Sequence, residues 1–287
     1  GYWILDNVEV LRQAEESVFR QSQHLFAPAA TWRLGNGSDD EPESMGSNPP
    51  AGVPLYYWLA EEPAAGRDLS LEIMDKDGGI IRTFTAKPAD EEEDEDPPQG
   101  DDDRKLETKA GLNLFVWDLH HASVERFKDL VLWNDSLKGA MAVPGSYQAT
   151  LSLGETKQTV SFEVLADPRL AATAADYEAQ YRFVSGINKK LTETHRAITR
   201  IRGAKAQLST IEKRIGDDEK FASLLESASE LESKLSGIEE TLYQTKMESR
   251  QDPLNFPIRL NDKLAHVMSL AGIGDHAPSA SAVAVRD

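Results

Sequence analysis

Polar and apolar residues alternate along one half of the chain and recur every three or four positions along the other. Leu69, Leu71 and Ile73 fall on one side of a two-residue period, with Ser70 and Glu72 on the other. Tyr147, Ala149, Leu151 and Leu153 alternate with Gln148, Thr150 and Ser152, and Val160, Phe162 and Val164 follow the same rule. Successive side chains of a strand point to opposite faces, so this period predicts half-buried strands. Apolar runs at 53–60, 80–85 and 112–119 add further strands. The stretch Asp75-Lys76-Asp77-Gly78-Gly79 predicts a hairpin turn, because glycine reaches positive φ without steric cost. Short strands at this density over 53–165 predict an Ig-like antiparallel β-sandwich.

After Asp167-Pro168 the period lengthens. Leu170, Tyr177, Val184, Leu191 and Ile198 are spaced by seven, with Ile187, Ile201 and Leu208 on the same stripe. Phe221, Leu224, Ala228, Leu231, Leu235, Ile238 and Leu242 then run in an unbroken 3-4 spacing. Each set predicts a long amphipathic helix. With a turn at Gly216-Asp217-Asp218, the pair predicts an antiparallel helical hairpin with coiled-coil-like packing. Asp252-Pro253 stops the second helix. Ile258, Leu260, Leu264, Val267, Met268 and Ala271 predict a third helix that closes a three-helix bundle, ended by Gly272 and Gly274. The tail from His276 is small and polar, and disorder is expected there. The expected division is therefore 1–52, 53–165 and 166–287.

The first stretch is mixed. Tyr2-Trp3-Ile4-Leu5 followed by Asp6-Asn7 reads as a strand running into a turn. A strand at this place implies partner strands upstream in a longer polypeptide or on another chain; the alternative is an edge strand pairing within this chain. A short helix is expected within 7–23, with Leu11, Ala14 and Val18 on one face, then extended pieces at 25–28 and 31–34 and a linker over 35–52.

The 287 residues carry 31 basic and 49 acidic side chains, a net charge of −18. This balance argues against a nucleic-acid binder, which needs a basic stripe, and against adhesion to anionic lipid. No apolar run is long enough to predict a membrane span. The absence of cysteine removes disulfides, thiolate nucleophiles and cysteine metal ligands together. Much of the acid lies in an insertion at 86–109, where ten of the fourteen residues from 90 to 103 are carboxylates. Such a cluster suits calcium, but its spacing matches no defined calcium loop, and a solvated, self-repelling insertion fits the composition better. Asp75-x-Asp77-Gly78 fails as an EF-hand loop, because its twelfth position is Ala86.

The remaining chemistry is thin. His120-His121, after Asp118, reads as a polar strand end, because a metal or acid–base role needs further ligands. His195 lies beside the apolar stripe of the first long helix. Glu61-Glu62 would supply half of a glycosidase pair, with no partner named by any spacing. Tyr56, Tyr57, Trp58, Trp117 and Trp133 would build a sugar-stacking platform if they faced one side, but aromatics in a sandwich usually pack. No nucleophile elbow or phosphate-binding loop is present, and Gly35-Asn36-Gly37-Ser38 is too short for one. No catalytic, cofactor-binding or metal residue is assigned.

The order of several motifs resembles a known group. Tyr2-Trp3-Ile4-Leu5-Asp6-Asn7 resembles the closing strand of a sortilin-like BNR β-propeller of bacterial proteins. His24-Leu25-Phe26-Ala27-Pro28, Thr31-Trp32-Arg33-Leu34 and Asn48-Pro49-Pro50-Ala51-Gly52 follow in the order seen there. The segments 71–78, 110–118 and Val143-Pro144-Gly145-Ser146-Tyr147 are similar to that group and to the Ig-like module of flagellar hook-capping proteins. Asp167-Pro168-Arg169 and 251–257 resemble the joints of its helical tail. The resemblance implies export to the periplasm, cell surface or medium. It also implies a glycosyl hydrolase label that belongs to the propeller, so no catalytic residue carries over.

The expected function is therefore a non-catalytic accessory or scaffold region that docks protein partners or its own propeller, with a homo-oligomer open. The rival is the bracing part of a glycan-acting hydrolase whose site lies upstream.

Overall fold

In the computed structural model, helices combine with strands in two sheets; the residues described are 8–34, 50–64, 68–86, 104–133, 137–216 and 218–287. The expected N-terminal strand and most of the acidic insertion lie outside them. The helix expected within 7–23 is broken into α1 (Glu9–Gln13) and a 3-10 turn at Val18–Arg20. The break has a visible cause. Ala14 leaves helical geometry, and the Gln13 amide turns to the backbone of Ala27, donating to its carbonyl at 2.8 Å and accepting from its N–H at 2.9 Å.

The strands follow as β1 (Gln23–Leu25), β2 (Thr31–Trp32), β3 (Val53–Leu59), β4 (Leu69–Asp75), β5 (Ile80–Thr85), β6 (Gly111–Trp117), β7 (Gly145–Leu153) and β8 (Thr156–Leu165). One sheet has the order β1-β3-β6 and the other β2-β8-β7-β4-β5. Pairing is antiparallel except for β2 on β8, which is parallel over Thr31↔Val164 and Trp32↔Leu165. The short extended pieces expected before the sheets thus become strands of them. The two sheets are tied by Gln158 of β8, whose amide accepts from the Leu25 N–H at 2.8 Å and donates to the Leu25 carbonyl at 3.2 Å. It supplies β1 with the partner that an edge strand lacks.

The alternation predicted for β4 and β8 is the burial pattern observed, whereas in β7 Thr150 and Ser152 are buried together with Ala149, Leu151 and Leu153. Val53, Leu55, Tyr57 and Leu59 are buried along β3, and Leu69, Leu71 and Ile73 along β4. Inner faces of both sheets contribute to one apolar cluster around Trp117, which is fully buried beside Tyr147 and Phe162. Its indole N–H donates to the His120 carbonyl at 3.0 Å, so the ring buries no unmet donor.

The helices are α2 (Ala174–Ile215), α3 (Ala222–Leu242), α4 (Leu260–Gly272) and α5 (Ala280–Arg286). Thr173 and Asp176 open α2 as a reciprocal cap: each accepts from the other's backbone N–H, at 2.8 and 3.3 Å. Leu170, expected to begin the heptad stripe, precedes this cap and is exposed. Gly216, at φ +59°, ends the helix in the left-handed region. The tail is not the unstructured segment expected. Ser279 caps α5 by accepting from the Ala282 N–H at 3.1 Å, and Arg286 lies 4.9 Å from the Phe183 ring.

The chain divides into two compact units. One is drawn from Gly1–Ser123, Ala140–Tyr181 and Gly274–Ala277, and holds the sheets and the first turns of α2. The other is drawn from Val124–Gly139, Arg182–Ile273 and Pro278–Asp287. The middle of the connection between β6 and β7, Val124–Gly139, is thus part of the helical unit, which no periodicity in it foretells.

Candidate interaction surface

Within the helical unit, α2 buries Val184, Ile187, Leu191 and Ile198, four members of its predicted stripe. Against it lies the strap, described over 124–133 and 137–139, whose Val124, Phe127, Leu130, Leu132 and Leu137 are buried. Phe127 meets the His195 ring edge-to-face at 5.1 Å and the Tyr243 ring in the same way at 5.1 Å. His195 Nδ1 donates to the Glu125 carbonyl at 2.7 Å, which fixes its tautomer because a carbonyl can only accept. Burial holds this imidazole below its ordinary pKa. His195 is therefore a structural anchor for the strap. Trp133 N–H donates to Asp262 Oδ2 at 2.9 Å, and so ties the strap to α4.

Arg202 stacks over Phe127 and Tyr243 and gives its Nε–H to Glu239 at 2.7 Å. Lys205 reaches the other oxygen of Glu239 at 3.2 Å. Glu239 is buried, and two cations offset the cost of taking its charge from water. These contacts bring α3 back alongside α2, as a hairpin requires.

The side of α3 that carries Glu239 is not the whole of its apolar stripe. Leu225, Ala228, Glu232, Leu235, Glu239 and Leu242 are buried or half-buried. Leu224, Leu231 and Ile238 stay 50 %, 47 % and 52 % exposed. They are spaced by seven and lie in one column along the edge of the packed face. Phe221 and, on α2, Ile211 are exposed as well. The sequence pattern of α3 thus buries one side of its seam and leaves the other open, where an amphipathic helix ordinarily meets a partner.

The polar candidates do not converge. His120 Nδ1 stands 2.8 Å from the Asp118 carbonyl and 3.3 Å from its carboxylate, a local arrangement within one bend. His121 turns elsewhere and packs 4.8 Å from the Tyr181 ring. Its pKa falls to about 4, first through burial and then through the neighbouring His120. Glu61 and Glu62 are exposed in the bend after β3. Among the described residues, no three His, Asp or Glu side chains are placed to hold a metal ion.

The expected aromatic platform is split. Tyr57 and Trp117 are core residues with no exposure, and Trp133 stands 60 % exposed in the strap. Only Tyr56 and Trp58 share the outer face of β3, opposite Leu114 and Leu112 of β6. Phe19 closes edge-on over Trp58 at 5.0 Å.

One polar node of the sheet unit has no signal in the sequence. Arg33, just beyond β2, is buried and gives its Nε–H to the Ala142 carbonyl at 3.0 Å and an Nη2–H to Gln180 at 2.9 Å. Its Nη1 pairs with Asp275, and Tyr177 stacks 4.9 Å from its guanidinium. Every partner is distant in sequence, so only the fold reveals the node. Its role is to fasten β2, the start of α2 and the segment after α4 together.

No family model matches the chain, and no curated protein matches it.

Proposed function

We propose that the chain is a non-catalytic accessory or scaffold region that docks protein partners through the open side of α3. The observation that carries this reading is the column Leu224, Leu231 and Ile238, half exposed beside a packed face of the same helix. Exposed apolar side chains at heptad spacing gain free energy when a second helix covers them. The sheet unit we read as an Ig-like sandwich, because sheets of three and five strands share one core around a buried tryptophan. The order of motifs along the sequence supports a place in the C-terminal region of an exported bacterial BNR β-propeller protein.

The test is partner capture by the whole chain and by a Leu224→Glu/Leu231→Glu variant. The variant is expected to keep its helical circular dichroism and to lose the proteins that the wild type retains. Capture unchanged by the substitutions, or turnover of glycans by this chain alone, contradicts the reading.

A further inference from the structure

We propose that His195 is a proton-operated latch: proton uptake at its buried Nε2 lifts the Glu125 end of the strap away from α2. The latch lies within the helical unit and is independent of the open column on α3.

The His195 ring is buried, and its two nitrogens meet unlike surroundings. Nδ1–H is committed to the Glu125 carbonyl at 2.7 Å, so the neutral ring keeps its lone pair on Nε2. Nε2 is sealed from solvent and meets no hydrogen-bond partner among the described residues. A bare lone pair is tolerable there. A charged N–H is not, because a buried donor and a buried charge each need a partner. The charged and titratable groups around the ring offer none. On the strap, Arg126 opposes the imidazolium and Glu125 favours it, but the Glu125 carboxylate is held by Arg196 of α2 at 2.6 Å. Phe127 stands between the ring and Tyr243, and beside it Arg202 and Lys205 share the single carboxylate of Glu239. The charged ring is therefore accommodated only once Nε2 reaches water.

The strap is the element that gives way. Its residues 124–133 form no helix or strand. At the Glu125 end the backbone is held by the His195 bond and by the Glu125 N–H on Thr192 Oγ1, a longer contact of 3.3 Å. The other end is fastened to a carboxylate, Trp133 N–H on Asp262 at 2.9 Å. Burial, the largest influence, holds the closed ring below its ordinary 6.5, against the Glu125 carbonyl bond, which raises it. Lifting returns the ring to its ordinary value. Above pH 6.5 neither form takes up the proton and the strap stays closed. Below it the lifted form binds a proton that the closed form does not. The lifted fraction then grows as the pH falls, by at most about tenfold per pH unit for one proton.

The test is hydrogen exchange of the full chain at pH 7 and pH 5, corrected for the intrinsic pH dependence of exchange, with the Trp133 amide as internal reference. Protection of the Glu125 amide is expected to fall several-fold relative to Trp133 in the wild type and to stay level in a His195→Gln variant, whose side chain takes up no proton. Glu125 protection level with pH in the wild type, or falling as far in the variant, overturns the proposal. A second measurement needs no variant. In an NMR titration of the wild type, the His195 ring is expected to change below pH 6.5 with the Glu125 amide shifting at the same midpoint. A ring that titrates at the ordinary value, or without the Glu125 amide following it, overturns the proposal as well.

Discussion

Arg33 and Asp275 form a buried ion pair, Arg33 beside the second strand and Asp275 just past the fourth helix. The pair closes the sheet unit on itself, because Tyr177 donates to the same Asp275 carboxylate at 3.3 Å and Gln180 donates to the neighbouring Gly274 carbonyl at 2.7 Å. Burial alone lowers the Arg33 pKa, yet guanidinium stays charged at any ordinary pH, so the pairing must persist.

Removing one partner leaves a buried charge without its counter-ion. Arg33→Met or Asp275→Asn is expected to cost about 3 kcal/mol of stability by urea unfolding, and the double variant less than the sum of the two. Additive losses would show that the two groups are not coupled.

Gly52, immediately before β3, sits at φ +131°, where an L side chain is strained. A Cβ there would also collide with the backbone carbonyl of Trp117. Gly52→Ala is expected to destabilise the chain by about 2 kcal/mol or more, measured as a fall in urea midpoint. An unchanged midpoint would contradict the close approach of 52 to the end of β6.

His121 gives the sheet unit a pH dependence of known sign. Its folded pKa of about 4 lies below its ordinary 6.5, so between these values the unfolded chain binds the proton and the folded chain does not. Stability is therefore complete above pH 6.5 and falls as the pH drops toward 4, by up to about 3 kcal/mol from this residue. His121→Gln is expected to flatten that fall in urea titrations at pH 7 and pH 5. His195 and His24, also lowered by burial, leave a residual slope.

Phe127 is the hinge pin of the strap, touching His195, Tyr243 and Arg202 at once. Phe127→Ala is expected to cost about 3 kcal/mol and to release the strap. Hydrogen exchange of amides 124–132 should then rise well above wild type while β3 and β4 stay protected. Unchanged exchange there would show that the strap is held by other contacts.

Much of the sheet unit was legible because its strands are long enough to show a period. The inward residues of β4 and β8 alternate in the sequence and in the fold, whereas β3 reads as an apolar run and β7 buries Thr150 and Ser152 beside its predicted inward set. β1 and β2 are too short for that: β1 pairs with β3 and is completed on its other edge by the Gln158 side chain, and β2 pairs with Val164 and Leu165, far along the chain. The strap was invisible for a related reason. Val124, Phe127, Leu130, Leu132 and Leu137 follow neither period, and the residues that hold the strap, His195, Tyr243 and Asp262 among them, lie far along the chain. The heptad of α3 announced a seam but not which side closes. Glu239, a carboxylate by sequence, faces inward because Arg202 and Lys205 wait there. The helix is rotated accordingly, and Leu224, Leu231 and Ile238 are left outside.

Affinity capture with the full chain as bait, beside its Leu224→Glu/Leu231→Glu variant, tests the role of that column most directly. The account predicts that proteins held by the wild type are lost from the variant while helix content is unchanged. The same proteins retained by both, or none retained by the wild type, would contradict it.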